Sequence, residues 1–188
     1  MVVQWSAVAI VAALWMFYVR EPSLLWLAMP SGWRLWTGLG AVVGVALLMT
    51  AQAVSASRAD DDLRTELRPR LGYAIPILPR TVAERRWFMG LSLTAGICEE
   101  LIYRGYVLWA LTPWLGLWGA AVGSVAGFGI AHAYLGREGV VRATIAGAVF
   151  AVAVVGLHSL YPAMILHAAL DVGAGAVGYV LLRDATGA

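Results

Sequence analysis

Hydrophobic positions along this chain gather into six runs of helical length, separated by polar stretches or prolines. The first, Val2 to Tyr18, is closed by Arg20, Glu21 and Pro22. It lacks a positive leader and a small-residue cleavage site, which predicts a retained span and not a signal peptide. Leu35 to Val54 is the second run, with Gly38, Gly40 and Gly44 offering close helix contact. The stretch from Ser55 to Arg70, SASRADDDLRTELRPR, then reads as a solvated connector. Leu71 to Pro79 is apolar but interrupted by Pro76 and Pro79, which suits a segment lying along the interface or filling a bundle entrance. Trp87 to Thr112, Trp114 to Tyr134 (restarted by Pro113), Val140 to Val155 and Pro162 to Leu182 complete the set. The pattern predicts an all-α, polytopic transmembrane helix bundle of about six spans, with no soluble domain. It divides into two N-terminal spans plus a charged connector (1–86), a polar-centred helical core (87–182) and a short tail (183–188).

The third run departs most from what lipid tolerates. Glu99, Glu100 and Arg104 sit near its middle. Each ionisable group at a helix centre costs about 2.5–3.5 kcal/mol on insertion scales, against about 0.3–0.6 kcal/mol recovered for each Leu, Ile, Phe or Val. These groups must therefore turn inward and find partners on other helices.

Composition agrees with the membrane reading. The chain of 188 residues is 61% hydrophobic and 13% charged, with a mean hydropathy of +0.78. A single cysteine excludes an internal disulfide and a Cys-rich metal cluster, and no basic tract is dense enough for nucleic acid. All thirteen basic residues are arginine, and their placement is uneven. Seven lie in the connector between the second and third spans, two in the loop between the fourth and fifth, and one in the tail, against two in the first loop. Ten against two predicts that both termini and the connector face the cytoplasm. Trp5, Trp33, Trp36, Trp87 and Trp114, near predicted span ends, suit an interfacial belt.

Helical spacing then sorts the polar residues. Glu100 and Arg104 are four apart in the favourable acid-then-base order and predict a pair on one face. Glu99 is turned about 100° away and is less readily paired along its own helix. Phe128 and His132 lie one turn apart on the fourth run, whose other face shows Gly119, Gly123 and Gly127 at small-xxx-small spacing. On the sixth run, Ala163, His167, Asp171 and Gly175 form one row. His158, at a helix end beside Ser159, has a structural reading; Cys98 reads as a small buried residue, and Tyr103 and Tyr134 as belt or packing residues.

Glu99-Glu100-Leu-Ile-Tyr-Arg104, Phe128-Gly-Ile-Ala-His132 and His167-Ala-Ala-Leu-Asp171 resemble, in order, the EExxxR, FxxxH and HxxxN/D motifs of the CAAX prenyl endopeptidase and bacteriocin-processing family (CPBP, or Abi). The resemblance covers roughly residues 87 to 182. It implies an intramembrane endopeptidase in which Glu99 and His132 activate water, while His167 and Asp171 bind the oxyanion. Phe128 supports the second motif, and Glu100 with Arg104 forms an orienting or structural pair. Asp171 is a departure where the motif has asparagine, because an ionised Asp cannot donate to an oxyanion. It then carries a proton, orients His167, or serves another use.

Three functions are compatible with this polar core. The first is a metal-independent peptidase that uses a glutamate and a histidine to activate water and needs no cofactor. The second is a zinc peptidase using Glu, His, His and Asp; no HExxH spacing is present, so it ranks second. The third is a transporter or scaffold without catalysis. The partners implied are the lipid bilayer and a membrane-embedded or lipidated peptide, which the Leu71 to Pro79 stretch is placed to guide. The compact, arginine-only chain resembles a prokaryotic, plasma-membrane member of the family.

Overall fold

The computed structural model describes residues 2–18 and 22–183. The closing residues Arg20 and Glu21 of the first run, and the tail beyond Arg183, lie outside the described residues. Within them every regular element is helical: α1 (Val2–Tyr18), α2 (Trp33–Arg58), α3 (Asp61–Leu67), α4 (Val82–Glu100), α5 (Leu108–Ala131), α6 (Gly136–Leu157) and α7 (Tyr161–Leu182). A π-helical turn, Leu101–Val107, joins α4 to α5 without a break.

Four helical stretches are long and apolar enough to cross a membrane: Trp33–Arg58, Val82–Ala131, Ala133–Leu157 and Tyr161–Leu182. The second is 50 residues long, more than twice a single crossing. It is divided at Gly116, whose φ of 68° and ψ of 170° leave helical space just after Pro113. The break expected at Pro113 therefore falls three residues later, at Gly116, where one span ends and the next starts. With α1, at 17 residues, the six runs each have a helix.

Several boundaries move for local reasons. Helix α2 runs to Arg58, four residues into the expected connector, and α3 then restarts with Asp60 as its cap, the carboxylate accepting from the Leu63 N–H at 2.8 Å. Helix α4 begins at Val82 and not Trp87. Thr81 and Glu84 close a reciprocal capping box there, the Glu84 N–H donating to Thr81 Oγ1 at 3.1 Å. Of the small residues Gly119, Gly123 and Gly127, the last two meet the preceding span, at Leu111 and at Tyr103, where a methyl on Gly127 would lie 3.6 Å from the ring; Gly119 meets Leu115 of its own run.

The core sits between the last four spans. Phe150, Val154, Leu160, Ala163, Met164 and Leu166 form its main cluster. Helices α4 and α7 pack backbone to backbone at Gly96, where an added Cβ would stand 2.7 Å from the Met164 carbonyl oxygen. That contact lies one turn before Glu99 and one turn before His167, so it sets the two motif helices against each other. Outside this core, Trp5, Trp33, Trp36, Trp87 and Trp114 are all exposed. Exposed apolar side chains cover the flanks of α2, α5 and α6, as a lipid-facing surface requires.

Candidate active site

The three motifs meet in the middle of the bundle, in two tiers. In the inner tier Glu100 and Arg104 are both fully buried and are joined at 2.8 Å through Glu100 Oε1 and Arg104 Nη1. The i,i+4 pair expected from the sequence forms although the chain passes into π-helix between them. Arg104 Nη2 donates to the Gly147 carbonyl of α6 at 2.9 Å. Glu100 Oε1 also accepts from His167 Nδ1 at 2.9 Å, so this carboxylate ties α4 to α7. Two donors on one buried oxygen, one of them the ion-paired guanidinium, reduce the cost of placing the charges there.

Aromatic rings close this tier. The Arg104 guanidinium lies 4.3 Å from the Phe128 ring centroid and 5.5 Å from that of Phe150. Phe150 stacks on His167 with centroids 5.0 Å apart and planes 17° apart. Phe128 presents its edge to His167 at 5.8 Å and lies 4.5 Å from the His132 ring. The motif phenylalanine therefore contacts the arginine and both histidines at once.

The outer tier holds Glu99, His132 and Asp171. Glu99 Oε2 lies 3.9 Å from His132 Nε2 and 3.9 Å from His167 Nε2. His167 Nε2 lies 3.7 Å from Asp171 Oδ2. His132 is the C-cap of α5, with φ −92° and ψ 14°, and not a full helical residue. Its Nδ1 is 2.8 Å from the Phe128 carbonyl oxygen. A carbonyl only accepts, so Nδ1 carries a proton, and Nε2 is the ring nitrogen turned toward Glu99. His167 has the same arrangement, with Nδ1 bonded to Glu100 and Nε2 facing two carboxylates.

A cavity of about 670 Å³ reaches this tier, lined at its inner end by Phe128, His132, Phe150, His167 and Asp171. Its outer wall is built by 69–74 of the connector and by the first turns of α6. The Pro-broken stretch thus fills part of the bundle entrance, one of the two placements its composition predicts. Tyr73 lies against Gly136, where a Cβ would meet the ring at 2.6 Å, and Gly72 takes a left-handed φ of 52° to turn the strap inward.

Residues 82–173 match the sequence family described as type II CAAX prenyl endopeptidase Rce1-like. Over that stretch, just under half of its length, the chain is similar to that family. The Rce1-like stretch runs from the capping box of α4 into α7 and contains every motif residue from Glu99 to Asp171. Comparison with curated proteins and with solved structures gave no match. The similarity points to a protease by class, and the apolar helices to an integral membrane protein.

Some contacts of the site carry no sequence signal. The Gly147 carbonyl is a backbone group, and Phe150 is one apolar residue among many on the fifth run. Tyr134, read as belt or packing, stacks beside His132 at 5.9 Å, and Tyr103 meets Phe128 edge-on at 5.2 Å. His158 and Cys98 have the structural places expected of them: His158 ends α6 in a left-handed cap against Trp26, and Cys98 is buried. Among the described residues no three His, Cys, Asp or Glu side chains are grouped to hold a metal ion. Zinc ligands at about 2.0–2.2 Å from the metal stand roughly 3.3 Å from one another, and here the facing nitrogens and oxygens are 3.7–3.9 Å apart.

Proposed function

We propose that this protein is an intramembrane endopeptidase that hydrolyses a peptide bond of a membrane-associated or lipidated substrate, using water activated by Glu99 and His132. The observation that carries this reading is the placing of one carboxylate oxygen, Glu99 Oε2, 3.9 Å from the Nε2 atoms of both motif histidines beside a cavity open to the connector. Separations of this size accept a water that hydrogen-bonds to both sides.

In the reaction, Glu99 takes a proton from the water as its oxygen attacks the scissile carbonyl carbon. His132 shares that proton through Nε2 and returns it to the leaving nitrogen when the C–N bond breaks. One water is consumed, and a carboxylic acid and an amine are released. His167, carrying both ring protons, donates Nε2–H to the oxyanion, with Glu99, Glu100 and Asp171 around it to balance its charge. Asp171, 3.7 Å from His167 Nε2, acts here through its charge, which favours the doubly protonated ring. Glu100 and Arg104 hold the His167 ring and do not touch the substrate. No metal takes part in these steps.

The test uses purified protein in zwitterionic lipid vesicles and a pool of internally quenched peptides, some of them prenylated. Wild-type protein cleaves members of the pool and Glu99→Gln protein does not, while both remain folded. Metal analysis with chelation accompanies it: full activity in a metal-free sample supports the water-activating pair, and loss restored by Zn²⁺ favours a zinc enzyme. Equal cleavage by both proteins defeats the proposal.

A further inference from the structure

The cavity that ends at His132, His167 and Asp171 is charged differently along its length. Its inner end faces carboxylates: Asp171 lies on the wall and Glu99 stands behind the histidines. Its outer wall carries Arg70, Arg137 and Arg142, with Glu138 beside them. No motif and no step of the mechanism uses these three arginines. Arg142 is paired to Glu138 at 3.2 Å and Arg70 to Glu66 at 3.0 Å, both pairs well exposed. Exposed pairs of this kind exchange readily for a better-placed partner. Among the described residues Arg137 has no carboxylate partner. The first turn of α6 lies on the same wall, and its N-cap, Leu135, provides no side-chain acceptor, so the positive helix end adds to the arginine field there.

We propose that this basic rim is a specificity subsite for a carboxylate of the bound peptide, with Arg137 and Arg142 as its main contacts. This rests on the peptidase reading above. A peptide lying in the cavity places one end against acidic groups and the other against guanidinium groups. An acidic residue or chain terminus at the inner end is repelled, and at the rim it gains charge-assisted hydrogen bonds. A cavity of about 670 Å³ holds a small ligand and not a folded chain. The acid is therefore read within a few residues of the bond that is cut, on the side facing the connector. The portion of the substrate beyond the histidines is left free of this requirement.

Two sources of negative charge compete for such a rim, the peptide and anionic lipid headgroups, and the experiment separates them. Binding of fluorescent peptides to Glu99→Gln protein is measured in phosphatidylcholine vesicles and again with phosphatidylglycerol added. One peptide pool carries acidic residues and a free C-terminus; the other is amidated, with Asn and Gln replacing Asp and Glu. The acidic pool binds about tenfold more tightly in phosphatidylcholine alone, and the preference disappears in a protein that also carries Arg137→Gln and Arg142→Gln. The neutral pool binds equally to both proteins, which shows that the substituted rim is folded. Equal binding of the two pools, a preference that survives both substitutions, or one seen only with phosphatidylglycerol overturns the proposal. Because binding is read on a protein without the water-activating carboxylate, this result stands apart from whether wild-type protein cleaves peptides.

Discussion

Glu99 and Glu100 are neighbours in the chain, yet they stand in two different solvents. Glu100 belongs to a sealed tier, fully buried, with Arg104 and His167 on one oxygen and aromatic rings above the guanidinium. Glu99 belongs to a tier that retains some exposure, facing two imidazoles at 3.9 Å, a separation that a water beside them can bridge. The sealed tier pairs Glu100 with both Arg104 and His167, so it fixes the geometry of two helices. The open tier keeps its distances long, which is what a site that must admit a reactant requires. One helical step of about 100° separates the sealed carboxylate from the one we propose as reactive.

Substitutions in the two tiers are expected to fail in different ways. The largest expected effect is Glu99→Gln, which lowers cleavage by about 10²–10⁴-fold, the range of general acid–base catalysis, while the unfolding midpoint in detergent hardly moves. Unfolding and turnover moving together would erase the distinction between tiers. Next is Arg104→Ala, which leaves Glu100 buried without its cation and destabilises the fold by about 3–5 kcal/mol, read by denaturant titration in micelles. Phe128→Leu follows, at about 2 kcal/mol, from the loss of the ring over the desolvated guanidinium; an unchanged stability would show that the ring serves the histidines alone. The smallest is Asp171→Asn, which keeps the side-chain shape but removes the charge beside His167, and lowers kcat by about tenfold, or roughly 1.4 kcal/mol. A rise in kcat would instead show that a donor is wanted at that position.

Much of this was legible in residue order. Apolar run lengths predicted the helices, and Pro113 marked the turn that Gly116 completes. Ionisable groups too costly for lipid identified Glu99, Glu100 and Arg104 as inward-facing, and the structure places them where α4, α5, α6 and α7 meet. The spacing of Glu100 and Arg104 predicted their pair, but nothing in a helical wheel predicted the second partner, His167, because it comes from 67 residues away. The early start of α4 was available from Thr81 and Glu84, a capping signature just upstream of the hydrophobic run. Gly147 was not available, since its contribution is a carbonyl that every residue possesses. Nor was the rim: Arg137 and Arg142 read as topology signals in a loop, and only the packing of the connector beside α6 puts them on a cavity wall.

The π-helical turn at Leu101–Val107 has a mechanical consequence. A π turn accommodates one residue more than an α-helix would over the same rise, so it acts as a phase shifter between the two halves of a continuous rod. Ser124 Oγ bonds the Tyr103 carbonyl oxygen at 2.7 Å and pins the widened loop from the side. Deleting a single residue inside that turn would let the rod wind regularly again. With the downstream half held by its packing, the upstream half would swing through about a quarter of a revolution, carrying Glu99 away from both imidazoles like a key withdrawn from its wards.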